Sequence, residues 1–395
     1  LIDDHVRARF GSEPPLRPML PVIPLGIHTP DFARDPAPRA ALRARLNCGP
    51  QDVVFSTIAR LTPHEKFDPL PVFIAVQQAQ TALPPGQKLH VVFCGLFRHP
   101  YARDVFTQGA ARLMPNVGFL LLDGASPQDR RETLSGADVS LFMIDNIQET
   151  FGLAPLEGMA AGLPLLVSDW DGMKDTVTPD VGLRVKTRTL GPQHLANESL
   201  RLQGGVDDYS QYCAAVSAMT EVDMPDLTAR ILDLATNPDL RARLGAAALQ
   251  RVRQIYDWQT VIPQMQALWA EQGQRRVAGK ARNHRIPGHM LPVAPSPTLL
   301  FQSYPTEQID PGHGRYVATD LTGRPGLTEL LKLRNYAALH RLFAAEAQIA
   351  AVLAQITAEA TGTTVAAIAQ TTSLTPMYVN PIVMWLLKYD FIRRL

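Results

Sequence analysis

The chain has 395 residues, of which 46% are hydrophobic and 19% are charged, so two or three globular domains with sizeable cores are expected. A formal net charge of +1 differs from the strongly basic balance of dedicated nucleic-acid binders, so nucleic acid is not an expected partner. The three cysteines lack disulfide or metal-ligand spacing, and no apolar run is long enough to span a bilayer. These features predict a cytoplasmic protein without a transmembrane span.

The first part of the sequence alternates between short apolar runs and helical patterns. Residues 1–20, which open on a charged helical pattern without a starting Met, are expected to continue a preceding domain. Beyond them we predict strands at 53–58, 89–94, 117–122, 139–143, 164–168 and 181–185, and helices over 70–81, 101–113, 126–134 and 153–161. Strands that alternate with helices indicate βαβ units. The predicted fold class is therefore α/β, a Rossmann-like parallel sheet with helices on both faces.

The C-terminal part changes character twice. Helices are predicted over 239–256 and 260–271, and residues 273–327, which are rich in Gly, Pro, His and Arg, are predicted to form a linker or arm. Residues 328–395 predict a small module with helices over 337–360, 364–370 and 376–389. Three such helices resemble a winged-helix module, although the chain ends before a full wing. Because the last helix is mainly apolar and carries only Lys388, packing, oligomerisation or partner contact is favoured over DNA binding.

Two carboxylates, Glu149 and Glu157, flank a predicted helix start at the carboxyl end of the fourth strand, where open α/β sheets bind ligands. Glu157 lies slightly more than two helical turns beyond Glu149, so it can point back toward the helix start. Between them, Gly152 permits close approach of a ligand to the backbone of Phe151 and Leu153, and free helix N–H groups suit a diphosphate. One carboxylate can then hold sugar hydroxyls and the other ribose hydroxyls. The alternative is that both are solvated and only favour the helix dipole.

Two cations, Arg60 and Lys66, lie in the loop after the first strand. On a strand-end loop they can neutralise a leaving diphosphate without a metal, at the place where negative charge develops in transfer chemistry. The alternative for each is an ordinary surface ion pair.

These segments, in this order and spacing, resemble the retaining glycosyltransferases of the GT-B fold, family 4 (glycosyl transferases group 1), in their C-terminal nucleotide-sugar-binding domain. Residues Glu149 to Glu157 resemble the Glu-x7-Glu motif of that family. The resemblance extends over roughly residues 15–272, and we place the domain at 21–272. The other matching segments are 22–28, 59–66, 117–124, 137–140, 157–164, 171–172 and 256–258.

The resemblance implies a role for each matching residue. Glu149 would contact hydroxyls of the donor sugar and help to stabilise an oxocarbenium-like transition state, and Glu157 would bind the ribose. Arg60 and Lys66 would bind the diphosphate as it leaves. The remaining donor-binding positions are the backbone N–H groups of Phe151, Gly152 and Leu153, and the base-binding strand and turn that contain Leu122 and Gly124.

The resemblance also implies an activity. We expect a hexosyltransferase-type enzyme of polysaccharide biosynthesis that transfers a sugar from a UDP- or GDP-linked donor to a glycan, lipid or protein acceptor. No metal and no other cofactor are expected. The expected location is the cytoplasm, including the inner face of a membrane.

Two departures from the family pattern and two alternatives accompany this interpretation. Lys66 lies one residue further from Arg60 than in the common pattern, and residues 171–175 (Asp-Gly-Met-Lys-Asp) stand where the family has Gly-Gly-x-x-Glu.

Because GT-B turnover needs an N-terminal Rossmann domain, we expect residues 1–395 alone to bind donor without completing transfer. One alternative is a non-catalytic donor-fold protein that regulates a partner through its C-terminal module. The other is a sugar-phosphate synthase or an epimerase-type GT-B enzyme.

Overall fold

The computed structural model describes residues 2–11, 20–279, 297–334 and 343–395. Its largest sheet contains β1 (Val53–Arg60), β2 (Leu89–Leu96), β3 (Gly118–Asp123), β4 (Val139–Phe142), β5 (Leu165–Ser168) and β6 (Gly182–Val185). The strands are all parallel and lie in the order β3-β2-β1-β4-β5-β6. All six strands lie where the apolar runs predicted them, so the α/β class is confirmed.

Two smaller three-stranded sheets accompany the large one. The first contains β7 (Thr187–Leu190), β8 (Thr220–Val222) and β9 (Glu307–Ile309), in the order β8-β7-β9. The second contains β10 (Arg315–Ala318), β11 (Thr363–Thr364) and β12 (Ile392–Arg394), in the order β11-β10-β12. We refer below to residues 187–222 as the insertion and to residues 315–395 as the C-terminal module.

Seventeen helices are described in these ranges. They are α1 (Ile2–Phe10), α2 (Pro36–Arg45), α3 (Pro69–Ala82), α4 (Pro100–Leu113), α5 (Pro127–Gly136), α6 (Leu153–Ala160), α7 (Met173–Thr176), α8 (Ala196–Gln203), α9 (Tyr209–Ala218), α10 (Met224–Thr236), α11 (Pro238–Arg251), α12 (Trp258–Gly279), α13 (Pro297–Leu300), α14 (Leu327–Leu333), α15 (Glu346–Ala358), α16 (Val365–Thr372) and α17 (Pro376–Lys388).

Several helices begin with the same two-residue signal, a capping side chain followed by proline. Asp35, Asp68, Ser126 and Asn237 each accept a hydrogen bond from a backbone N–H of the first turn, and proline occupies the first helical position. Asp68 therefore both ends the loop after β1 and begins α3.

The large sheet is covered on both faces because its strands bury alternate side chains on opposite sides. On β1, Phe55 joins the large core that includes Phe73 of α3 and Phe106 of α4. The next residue back, Val54, faces the other way and packs in a smaller core with Leu42 of α2. This double burial explains why the strands are continuous apolar runs in the sequence.

The strand order creates a topological switch point between β1 and β4. The chain leaves β1 toward β2 on one side and returns to β4 on the other, so the carboxyl ends of these two strands border an open crevice. Two loops line it, the β1 loop (residues 61–68) and the β4 loop (residues 143–152). Lys66 and Glu149 lie in these two loops, and Arg60 is the last residue of β1.

The region predicted as a linker, residues 273–327, has more regular structure than its composition suggested. Helix α12 continues to Gly279, and residues 280–296 lie outside the described residues. Further along, β9 pairs with β7 of the insertion, and β10 pairs with both β11 and β12. Short strands flanked by Gly and Pro carry too weak a periodicity to be recognised in a sequence.

The C-terminal module differs from the expected winged helix in the origin of one strand. Its helices α16 and α17 lie close to their predicted positions, whereas α15 begins at Glu346, and residues 335–342 of the predicted helix 337–360 lie outside the described residues. The central strand β10 precedes all three helices in the chain. The small sheet is thus completed by β10, which precedes the helices in the chain, although the sequence suggested that the wing would be incomplete.

The module packs directly on the rest of the structure. Helix α17 lies against β7 and β8 of the insertion, and its Trp385 is fully buried against Tyr389 and Phe391. In the described residues, no helix combines the length and apolar character that crossing a membrane requires.

We expect Phe93→Ala to lower the free energy of unfolding by about 3–5 kcal/mol, because it would empty the centre of an aromatic cluster. The buried ring of Phe93 lies 5.2–6.2 Å, centroid to centroid, from four others, those of Phe67, Phe73, Phe106 and Phe119. Urea unfolding followed by tryptophan fluorescence measures the change. Leu96→Ala, on the same strand but 52% exposed, is the control and should change stability by less than about 1 kcal/mol. Equal losses would contradict the assignment of this core.

Candidate functional site

A cavity of about 260 Å³ lies at the carboxyl edge of the large sheet. It is lined by the end of β1, the end of β2, the turn after β3 and the first turns of α5 and α6. Of the residues singled out from the sequence, Arg60, Gly124, Leu153 and Glu157 meet here. Residues from separate βαβ units therefore converge at the position that the topology favours for a ligand.

Two glycines form the floor of this cavity. A Cβ on Gly95 would overlap the backbone oxygen of Ala59, and a Cβ on Gly124 would lie 2.7 Å from the Cα of Gly95. The Gly124 N–H donates to the Gly95 carbonyl at 3.2 Å. The ends of β1, β2 and β3 can therefore approach one another only because both positions lack side chains. Gly124 was singled out in the sequence, whereas Gly95, which follows Cys94 near the end of its strand, was not.

Glu157 lies on the wall of the cavity and bonds an arginine that the sequence did not single out. Both of its carboxylate oxygens lie 3.2 Å from one terminal nitrogen of Arg130 on α5. The Glu157 side chain is 15% exposed and that of Arg130 is 41% exposed. Burial raises the pKa of Glu157, and the Arg130 charge only partly offsets this effect. The pocket thus holds a carboxylate whose ionised form is disfavoured by its surroundings.

Glu149 and Lys66 form an ion pair that joins the β4 loop to the β1 loop. The side chains are only 10% and 18% exposed, and the Lys66 ammonium lies 5.4 Å from the centroid of the Phe142 ring. The sequence predicted both residues as site residues but not that they would bond each other. The two loops are therefore linked at the switch point by opposite charges.

The start of α6 is partly occupied by the same carboxylate. Glu149 accepts hydrogen bonds from the N–H groups of Gly152 at 2.9 Å and Phe151 at 3.4 Å, two of the groups expected to contact a ligand. Gly152 has a φ of +81°, a conformation that favours glycine. The backbone of Leu153 begins the helix at the cavity itself. A ligand that uses the N–H groups of Phe151 and Gly152 has to displace Glu149 from them.

The remaining two predicted residues have contrasting environments. Arg60 is exposed and, among the residues that the structure describes, takes part in no ion pair, so its guanidinium is available to a ligand in the cavity. Leu122 is 4% exposed and packs with Cys94 in the small core beneath the floor. Its contact with a nucleobase stays a prediction.

A segment from the predicted linker reaches the neighbourhood of the β4 loop. The Asp171 N–H donates to the Tyr304 carbonyl at 2.9 Å, and a Cβ on Gly172 would overlap the carbonyl oxygen of Thr150 in the β4 loop. Burial raises the pKa of Asp171 to about 6, although the Tyr304 hydroxyl and the Gly172 N–H favour the ionised form. Tyr304 could not have been singled out from the sequence, because the segment around it has no periodicity.

The model of the family named Glycosyl transferases group 1 matches residues 39–202, a range that contains the cavity residues and the Glu149–Lys66 pair. This part of the chain is therefore similar to the glycosyl transferases group 1 family.

Individual relatives are similar to the chain at low identity. A phosphatidyl-myo-inositol mannosyltransferase from Propionibacterium freudenreichii is 24% identical over 186 residues, which are 47% of this chain and 39% of that protein. A GDP-mannose-dependent monoacylated alpha-(1-6)-phosphatidylinositol monomannoside mannosyltransferase from Corynebacterium glutamicum is 24% identical over 264 residues, which are 65% of this chain and 58% of that protein. The chain therefore spans less than two thirds of the length of either relative. Among solved structures, a sucrose-phosphate synthase from Thermosynechococcus elongatus matches with a TM-score of 0.45 at 20% identity, covering 69% of this chain and 56% of that one.

We expect Glu157→Gln to leave the free energy of unfolding at pH 8 unchanged or higher. The pKa of Glu157 is raised in the folded protein by burial, so the wild type loses stability as the pH rises from the unfolded glutamate pKa through the raised folded value. Glutamine removes this loss. Urea unfolding at pH 5 and pH 8 measures the effect.

The matched control for this prediction is Glu132→Gln. Glu132 is also buried and bonds Arg45, whose side chain is 41% exposed, as is that of Arg130. Its substitution should lower the free energy of unfolding by about 1 kcal/mol, since a charge-assisted hydrogen bond is lost. A loss of the same size in Glu157→Gln would contradict the view that the Glu157 carboxylate is kept at a cost to stability.

Proposed function

We propose that this protein transfers a hexosyl group, with retention of configuration, from a UDP- or GDP-linked donor to a glycan, lipid or protein acceptor. The observation that carries the proposal is the meeting of Arg60, Leu153 and Glu157 in one cavity at the switch point of a group 1 sheet. The Glu149–Lys66 ion pair lies within a few residues of this cavity along the chain. A cation, a helix start and two carboxylates are the groups that a nucleoside diphosphate sugar requires.

The nucleoside half of the donor fits the wall and floor of the cavity. The backbone at Gly95 and Gly124, where both positions lack side chains, accommodates a planar base, and the Glu157 carboxylate accepts hydrogen bonds from the ribose hydroxyls. Arg130 then has to share or release Glu157, which its exposed position allows. Hydrogen bonds from the ribose to the ionised Glu157 carboxylate recover part of the solvation free energy that this group loses on burial.

The diphosphate half fits the cations and the helix start. Arg60 forms no ion pair with an acidic side chain among the described residues. The positive end of the α6 dipole lies at the same cavity. Together they neutralise the two phosphates without a metal ion in this proposal. The sugar then reaches the β4 loop, where Glu149 accepts hydrogen bonds from its hydroxyls.

The transfer step uses the same charges. The bond between the sugar C1 and the β-phosphate oxygen breaks, and both of its electrons leave with the phosphate. The acceptor oxygen bonds C1 from the same face, and its proton passes to the leaving phosphate oxygen. Arg60 and Lys66 stabilise the negative charge that develops, and Glu149 stabilises the positive charge on the sugar ring.

The names of the two relatives guide the choice of substrates. One relative is named as GDP-mannose-dependent, and both are named as mannosyltransferases that act on phosphatidylinositol lipids. We therefore place GDP-mannose first among the donors to be tried and a lipid first among the acceptors. A lipid acceptor implies work at the inner face of a membrane, with the C-terminal module available for oligomer or partner contact.

A panel of UDP, GDP, UDP-glucose and GDP-mannose tests donor binding by thermal shift and calorimetry. We expect at least one nucleotide to stabilise the wild type, by about 2.7 kcal/mol at one hundred times its Kd. Glu157→Ala should weaken binding at least about tenfold through loss of the ribose acceptor, and Arg60→Met should do the same through loss of a phosphate partner. Arg103→Met, an exposed arginine on α4, is the control. If none of the four ligands stabilises the wild type, the donor-site proposal fails.

Glu149→Gln separates the sugar from the nucleotide. The substitution keeps an oxygen that can cap α6 but removes the charge that holds the sugar hydroxyls. We expect the Kd of the sugar nucleotide to rise about tenfold while that of the bare nucleotide changes less than about threefold. Equal effects on both would contradict the sugar-binding role of Glu149. Donor binding without any turnover by the natural full-length protein would favour the non-catalytic alternative.

A further inference from the structure

A buried network of charges joins the two loops of the donor site to the C-terminal module. Asp68 ends the β1 loop and Asp145 lies in the β4 loop, whereas Arg334 directly follows α14 of the module and Lys388 is the last residue of its α17. All four residues are at most 3% exposed. The two negative and two positive charges balance, as a network without contact to water requires.

Arg334 holds the β1 loop at three points. Its guanidinium donates to the Asp68 carboxylate and to the Pro63 carbonyl, each at 2.8 Å, and also contacts the His64 ring. Burial, together with the charges of Arg334 and Lys388, lowers the pKa of His64 to about 2, so this ring is neutral and accepts a hydrogen bond. Burial alone would raise the pKa of Asp68, but the charges of Arg334 and Lys388, with hydrogen bonds from the Tyr389 hydroxyl and the Leu70 N–H, outweigh burial and lower it. The carboxylate that begins α3 is therefore ionised because of the module.

Lys388 holds the β4 loop and links it to the β1 loop. Its ammonium donates to the Asp145 carboxylate at 2.6 Å and to the Ser217 carbonyl of the insertion at 2.7 Å, and it lies 3.9 Å from Asp68. The same oxygen of Asp145 accepts from the Asp68 N–H at 3.3 Å. One lysine thus fixes the separation of the two loops.

The network continues from Asp145 to the proposed site through one more residue. The Asn146 side-chain amide donates to the His64 carbonyl at 3.0 Å and accepts from the Gln148 N–H at 3.0 Å. The backbone carbonyl of Asn146 accepts from the Glu149 N–H at 3.2 Å. In the β1 loop, the Lys66 N–H donates to the Thr62 carbonyl at 3.0 Å. The backbone that carries Glu149 is tied to the buried network through Asn146, and Lys66 lies between His64 and Asp68, which Arg334 contacts.

We infer that Lys388 and Arg334 are positioning residues, which hold the two loops so that Glu149 and Lys66 meet at the donor sugar and diphosphate. The C-terminal module is then part of the donor site, although none of its described residues lines the cavity. This inference rests on the proposed function of that site. A purely structural role would be served as well by apolar contacts, because buried ion pairs seldom stabilise more than a matched apolar set.

Lys388→Met tests the inference, with Lys388→Arg as the conservative variant and Arg188→Met as the control. Arg188 is also a largely buried cation, bonded to Glu221, Asp223 and Glu307, but it contacts neither loop. For the sugar nucleotide that the wild type binds, UDP-glucose or GDP-mannose, we expect at least a tenfold rise in Kd for Lys388→Met and partial recovery for Lys388→Arg. Arg188→Met should change the Kd less than about twofold, even at an equal loss of thermal stability.

Lys388→Met leaves Asp145 buried without its partner, so a second variant guards against misfolding. The double variant Lys388→Met with Asp145→Asn restores charge balance and keeps an acceptor for the Asp68 N–H. We expect it to regain thermal stability but not nucleotide affinity. Recovery of both would overturn the inference, because the effect of Lys388 would then be one of stability alone.

Hydrogen exchange on the wild-type protein provides a test without substitution. Coupling between two sites is reciprocal, so saturating UDP or GDP should slow exchange in residues 145–152 and also in residues 384–390 at the end of α17. Protection of the first range without the second would overturn the inference. If the wild type binds neither nucleotide, the proposed function fails, and faster exchange of residues 146–152 in Lys388→Met still decides whether Lys388 positions the loop.

Discussion

The structure depends on how Asp68 and Asp145 are neutralised. A carboxylate withdrawn from water loses several kcal/mol of solvation, and only well-placed cations and hydrogen bonds recover it. Here the cations are Arg334 and Lys388, which come from the far end of the chain. The α/β domain therefore cannot form its strand-end loops with full stability unless the C-terminal module is docked, and the module finds its place through the same charges.

The site next to this network departs from the rules that govern the rest of the fold. Glu157 is a carboxylate in surroundings that raise its pKa, Gly152 takes a left-handed conformation, and Asp171 has a φ of +28° although it is not a glycine. Carboxylates whose pKa burial raises, at the edge of the sheet where the topology favours a ligand, are typical of a site selected for binding rather than for stability.

Much of the α/β domain could be predicted from the sequence, because its signals are local. Continuous apolar runs and Asp-Pro or Ser-Pro helix starts give the six strands and their helices, and the topology brings Arg60 and Glu157 together. The partners that cross the fold could not be predicted. Arg130 is one of two adjacent arginines on α5, and Lys388 is a single cation on an apolar helix. Arg130 is recognised as a site residue only through its bond to Glu157, and Lys388 only through its bond to Asp145. Pairs of residues so far apart in the chain produce no periodic pattern in the sequence. The strand β10 was missed for a similar reason, since its partners β11 and β12 come much later in the chain.

The distance along the chain between Asp145 and Lys388 has a consequence for the newly made protein. The two residues are 243 positions apart, and ribosomes add about 5–20 residues per second. For roughly 12 to 50 seconds after the β4 loop leaves the ribosome, its aspartate has no lysine to bond and stays hydrated. The sheet can assemble during that interval, but the crevice remains loose. The nascent domain is therefore open to chaperones and proteases at the very loops that later hold the substrate, and it matures only when its last helix arrives.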